Sequence, residues 1–140
     1  MDSTPFDIWR KERRLFKLFF NGASKDNPGA AGGGGVIINL EEHKEITCSW
    51  SIDFGTNNQA EAYGSLQGLK QIQTLKVNKA LIFGDSMLII QAMIVPTQIS
   101  DPKLVQILQR IKLLSFSFRS LQYFHILREL KKREVTKLGH

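Results

Sequence analysis

Three polar residues stand where apolar runs stop. FFNGAS carries Asn21, LIFGDS carries Asp85, and NNQAEAY carries Glu61 near the start of a helical pattern. In open α/β sheets ligands bind beyond the carboxyl ends of the strands, so polar residues there are the first candidates for chemistry. Two carboxylates and an amide make a polar rim, and the neutral side chain of Asn21 occupies a corner where an anionic group would do more. Each acid also has a purely local reading. Glu61 lies three residues after Asn58, the spacing of a capping box, and Asp85 stands directly before Ser86 at the start of another helix.

These residues must be positioned by a sheet and its helices. Residues 15–20 are apolar except Lys17, the pattern of a strand buried on both faces, with Asn21 at its end and a Gly-rich turn behind it. Residues 35–40 and 44–53 read as two further strands, joined by a turn at Glu41, Glu42 and His43. From Asn58 the period changes, because Ala62, Leu66, Leu69 and Ile72 recur at helical spacing up to about Leu75. A short strand over 80–84 follows. Ser86 then caps a helix through Met93 that Pro96 stops. Asp101 and Pro102 start a third helix, with Leu104, Leu108 and Ile111 on one face. A strand over 118–127 and a final helix from about Glu129 complete the order, and that helix is expected to be truncated at His140. The early strands can pair as a meander and the later ones need helical crossovers, which makes a mixed α/β sheet.

The 140 residues suit one domain, here 15–140, preceded by a basic extension over 1–14. Apolar residues are 42% and charged residues 23%, ordinary for a globular protein. No uncharged stretch reaches the roughly 18 residues that span a bilayer. The charged start lacks the apolar block of a signal peptide, so an intracellular location is expected. Cys48 is the single cysteine, which excludes an internal disulfide; alternating with Ile46, Trp50 and Ile52, it reads as a small core residue. The net charge of +6 is concentrated in Arg10, Lys11, Arg13 and Arg14 at one end and in Arg128, Lys131, Lys132, Arg133 and Lys137 at the other. A basic balance favours polyanionic partners, although a solvated charged face gives the same pattern.

The ordered stretches NGASKDNPGAAGGGGVI, TNNQAEAYGSLQGL, ALIFGDS and HILREL resemble type 1 ribonuclease H, especially its plant and retroelement reverse-transcriptase-like branch, over residues 15–139. The resemblance implies a ribonuclease H-like fold with a five-stranded mixed sheet flanked by helices. It also implies Mg²⁺-dependent hydrolysis of the RNA strand of an RNA/DNA hybrid, with four carboxylates holding two metal ions. Glu61 and Asp85 match two of those positions. Asn21 stands where the family has an Asp that bridges the metals, and an amide oxygen brings no net charge. In the last helix Thr136, or Val135 in the other register, stands at the position of another Asp. Asp26 and Glu134 are poor substitutes: one lies in the turn after the first strand, the other about 200° round the helix from Thr136.

Further roles follow from the resemblance. Asn57 and Asn58 match a pair whose second member reads the RNA minor groove, where 2′-hydroxyls mark RNA. Gly22 and the turn through Asn27 are expected to approach a phosphate or ribose, and Arg128 to contact a phosphate or pair with Glu129. His125 reads as a strand residue, and the mobile histidine of longer relatives is not transferred to it. Three readings stay open: an impaired ribonuclease H, a non-catalytic module that binds the hybrid, and a decayed retroelement fragment. In each the chain is a monomer or part of a larger polyprotein.

Overall fold

A computed structural model describes residues 15–126. Five strands form one sheet: β1 (Phe16–Ser24), β2 (Gly29–Asn39), β3 (Lys44–Gly55), β4 (Lys79–Gly84) and β5 (Ser120–His125). Three helices intervene in the chain, α1 (Asn57–Thr74) before β4, then α2 (Met87–Ile94) and α3 (Pro102–Ser115) before β5. The strand order is β3-β2-β1-β4-β5. β1–β2 and β2–β3 are antiparallel, whereas β4 runs parallel to both β1 and β5. The meander and the crossovers expected from periodicity are both present.

β1 is central and buried on both faces. Phe16, Leu18 and Phe20 enter the main core with Leu66, Leu69 and Ile72 of α1 and Leu104, Ile107 and Ile111 of α3. Phe19 turns the other way, into a second cluster with Ile38, Leu81 and Phe83. Lys17 is also buried, its Nζ donating to the Leu15 carbonyl at 3.1 Å. Neighbouring rings stack across three strands, Phe19 on Phe83 at 4.9 Å and Phe83 on Phe124 at 5.2 Å. Such cross-strand aromatic contacts hold β1, β4 and β5 in register one row before the Phe20–Gly84 pair.

Two expectations are corrected. The strand expected from residue 35 begins earlier, so that Gly32, Gly33 and Gly34 are strand and not turn: they pair with Ala23, Gly22 and Asn21, as Gly35 does with Phe20. The turn is confined to residues 25–28, where Asn27 takes a positive φ of 38° that Asn tolerates better than most residues. As a result β1 runs past Asn21 to Ser24. The reason is close packing: a Cβ on Gly33 would sit 2.6 Å from the Asn21 carbonyl and 2.8 Å from Trp50 Nε1, a gap that only glycine fits. The second correction concerns α1, which starts earlier than Asn58. Thr56 is its N-cap and Gln59 completes the capping box, so Glu61 takes no part in capping. Cys48 is half-buried against the main core, and burial pushes its thiol pKa up. The expected final helix, with Arg128 and Thr136, lies outside the described residues.

Candidate functional site

The parallel ladder between β1 and β4 ends at the Phe20–Gly84 pair, and Gly84 pairs in turn with His125. Asn21 and Asp85 are therefore the first residues beyond that row on the two neighbouring chain segments. Helix α1 brings in the third residue. Glu61 is only 4% exposed, and its Oε1 accepts from the Gly22 N–H at 3.3 Å. Gly22 lacks the Cβ that would lie 2.3 Å from the Ala60 carbonyl carbon and 2.4 Å from the Glu61 nitrogen, and this absence lets α1 sit so close to β1. The missing Cβ of Gly22 is thus used by the protein's own helix.

Asn21 is exposed, and its Oδ1 accepts from the Gly34 N–H at 3.1 Å. Asp85 is half-buried, and its carbonyl lies 3.2 Å from His125 Nε2. Sequence patterning placed His125 in a strand, which is where it lies. Its contact with the Asp85 backbone was invisible, because it depends on β4 and β5 becoming parallel neighbours.

Beside these residues the β1–β2 turn is stitched to the start of α1. Asn57 Oδ1 accepts from the Ser24 N–H at 2.7 Å, Asn57 N–H donates to Asn27 Oδ1 at 2.9 Å, and Asn27 N–H donates to Ser24 Oγ at 3.0 Å. Asn57 and Asn27 are thereby committed to each other's segments. Asn58 is exposed, and its side chain makes no hydrogen bond among the described residues. Sequence reasoning missed Gln59, which is buried and joins two helix starts. Its Oε1 accepts from the Thr56 N–H, and its Nε2 donates to Asp101 Oδ2 at 2.8 Å. Burial pushes the Asp101 pKa up, but hydrogen bonds from Gln59 and from the Leu104 and Lys103 backbones, with the Lys103 charge, hold it below the ordinary carboxylate value. The Thr56-x-x-Gln59 spacing was the signal available for the cap.

Asn21 and Asp85 thus directly follow the last paired row of β1 and β4, and Glu61 touches Gly22, the residue next to Asn21. The reverse transcriptase-like family model matches residues 19–133, which include all of these. The chain belongs to the reverse transcriptase-like family, within the type 1 ribonuclease H-like superfamily. Among solved structures of ribonuclease H-like proteins, it is similar to RNase H1 of the halophilic archaeon Halobacterium salinarum NRC-1. The identity is 26% and the TM-score 0.78, covering 85% of this chain and 90% of that one. It is also similar to the N-terminal RNase H domain of Rv2228c from Mycobacterium tuberculosis, at 27% identity and a TM-score of 0.75, covering 83% and 91%. A third neighbour is LC11-RNase H1 in complex with RNA/DNA hybrid, at 26% identity and a TM-score of 0.75, covering 84% and 89%. Among curated proteins, the bifunctional protein Rv2228c of Mycobacterium tuberculosis is 30% identical over 104 residues, 74% of this chain. The chain spans only 29% of that relative's length. No helix among the described residues is long and apolar enough to cross a membrane.

Proposed function

We propose that this chain is a nucleic-acid-binding domain that recognises RNA/DNA hybrid, in which the family's Mg²⁺-dependent cleavage of the RNA strand is lost or severely reduced. One observation carries the reading: at the end of the β1–β4 ladder, where the family places a metal-bridging carboxylate, stands Asn21, with its one acceptor atom already engaged by the Gly34 N–H. Similarity to a ribonuclease H1 bound to RNA/DNA hybrid supports the choice of partner, as does the net charge of +6.

Hard divalent cations need several anionic oxygens. Among the described residues, no three His, Cys, Asp or Glu side chains form a group that could hold a metal. Glu61 and Asp85 supply two carboxylates, and Asn21 supplies a neutral amide. This described set does not fit two divalent ions. The residue expected at the fourth corner, Thr136, lies outside the described residues.

The test is a cleavage assay on labelled RNA/DNA hybrid with Mg²⁺ or Mn²⁺, comparing the native chain with a double variant, Asn21→Asp with Thr136→Asp. The expected outcome is an intact substrate with the native chain and metal-dependent cleavage with the double variant. Native cleavage as fast as that of the double variant would overturn the loss of activity.

A further inference from the structure

We infer that Asn21 holds the nucleic-acid backbone directly, its carboxamide NH₂ donating to a phosphate oxygen with no metal ion between them. The inference rests on the nucleic-acid reading above and specifies how this rim would meet its ligand.

A carboxamide has one accepting end and one donating end. At Asn21 the backbone fixes which faces which way: a main-chain N–H, that of Gly34, lies 3.1 Å from the side-chain tip, and only the oxygen can accept it. The nitrogen therefore occupies the other branch of the amide. Asn21 is exposed, and its Nδ2 has no acceptor among the described residues. Two N–H donors are thus offered at the rim.

The electrostatic consequence is that this position adds no negative charge of its own and offers donors instead. A carboxylate there would present only acceptor oxygens and negative charge, and it would repel a phosphate unless a cation lay between them. The amide adds no charge and offers donors, so a phosphate oxygen can approach it directly, and a hydrogen bond to an anion is stronger than one between neutral groups. Glu61, 4% exposed with its Oε1 turned to the Gly22 N–H, and the half-buried Asp85 still carry carboxyl groups near this corner, so the direct contact rests on the donors the Asn21 amide offers and not on a net attraction. The same rim carries the exposed Asn58, held there because Asn57 binds the Ser24 N–H at the end of β1. Asn58 is a second neutral side chain able to donate to phosphate or ribose oxygens.

The experiment is fluorescence anisotropy with a labelled RNA/DNA hybrid, using the native chain, Asn21→Ala and Asn21→Asp. Each is measured in EDTA and in Mg²⁺ at matched ionic strength. The native chain should bind equally well in both buffers. Asn21→Ala should bind about tenfold more weakly in both, the loss of one hydrogen bond to an anion. Asn21→Asp keeps an oxygen for the Gly34 N–H, so its fold is retained even if the alanine variant is unstable. It should bind more weakly than the native chain in EDTA and recover on adding Mg²⁺. Native binding that requires Mg²⁺, or binding in EDTA that ignores the identity of residue 21, overturns the inference while leaving the nucleic-acid reading standing. No native binding in either buffer overturns that reading and the inference together.

Discussion

The Gly22 N–H donates to Glu61 Oε1 at 3.3 Å, so the acid that α1 contributes to the rim also closes a hydrogen bond of the central strand. Removing the carboxyl group strands a buried donor. Glu61→Ala is expected to lower stability by about 1–3 kcal/mol, the cost of leaving a buried polar group unsatisfied. Glu61→Gln keeps an oxygen in place and should cost less than about 1 kcal/mol. Urea denaturation of the two variants makes the comparison, and equal losses would show that the Gly22 contact contributes nothing.

Gly22 itself is a stricter test of the packing. A Cβ there would meet only backbone, 2.3 Å from the Ala60 carbonyl carbon and 2.5 Å from its oxygen, and backbone cannot rotate aside. Gly22→Ala should therefore push α1 off β1 and destabilise the domain by about 3 kcal/mol, at the upper end of overpacking costs. Fluorescence of Trp50, whose ring lies against Gly33 and Gly64, should report the displaced helix. A variant with native stability and an unchanged spectrum would contradict this geometry.

Asp101 caps α3 through the Lys103 and Leu104 N–H groups and holds Gln59. Asp101→Ala should cost about 1 kcal/mol at neutral pH, as losses of a cap do. Asp101→Asn keeps a neutral cap and isolates the contribution of charge. Because the folded pKa of Asp101 lies below its ordinary value of 3.8, the charge contributes stability above that pH and loses it as the pH falls through the folded pKa. Thermal melts from pH 7 downward should show the native advantage over Asp101→Asn shrinking below about pH 4. An advantage that grows in acid would reverse the assignment.

Tyr123 gives the opposite limb of the pH dependence. Burial pushes its phenol up to about 12 from an ordinary value of 10.0. Between those values the unfolded chain has released the proton while the folded chain keeps it, so stability falls as the pH rises. Tyr123→Phe should remove this part of the alkaline loss. Melts between pH 9 and pH 11 compare the two, and identical slopes would show that Tyr123 titrates normally.

Strand and helix order was legible because local periodicity carries it. The all-buried run Phe16–Phe20, the alternation of Ile46, Cys48, Trp50 and Ile52, and the spacing of Leu66, Leu69 and Ile72 each name an element without reference to the rest of the chain. The glycine run misled for an equally physical reason. Gly32 to Gly35 have no side chains to show a period, and glycine normally punctuates turns. What kept them in a strand was contact with Trp50 and Asn21, which comes from elsewhere in the chain.

The sequence alone determined which groups could reach the rim: Asn21, Glu61 and Asp85, with an amide where a relative would carry an acid. Chemical identity and position along a strand or helix are local properties. Tertiary structure decided how those groups are used. The Gly34 N–H turns the Asn21 oxygen inward and its nitrogen outward, Gly22 takes Glu61 Oε1, and His125 meets the Asp85 carbonyl. Each of these depends on a donor or acceptor separated in sequence and brought within about 3 Å by strand pairing or helix docking, because hydrogen bonds act only at that range.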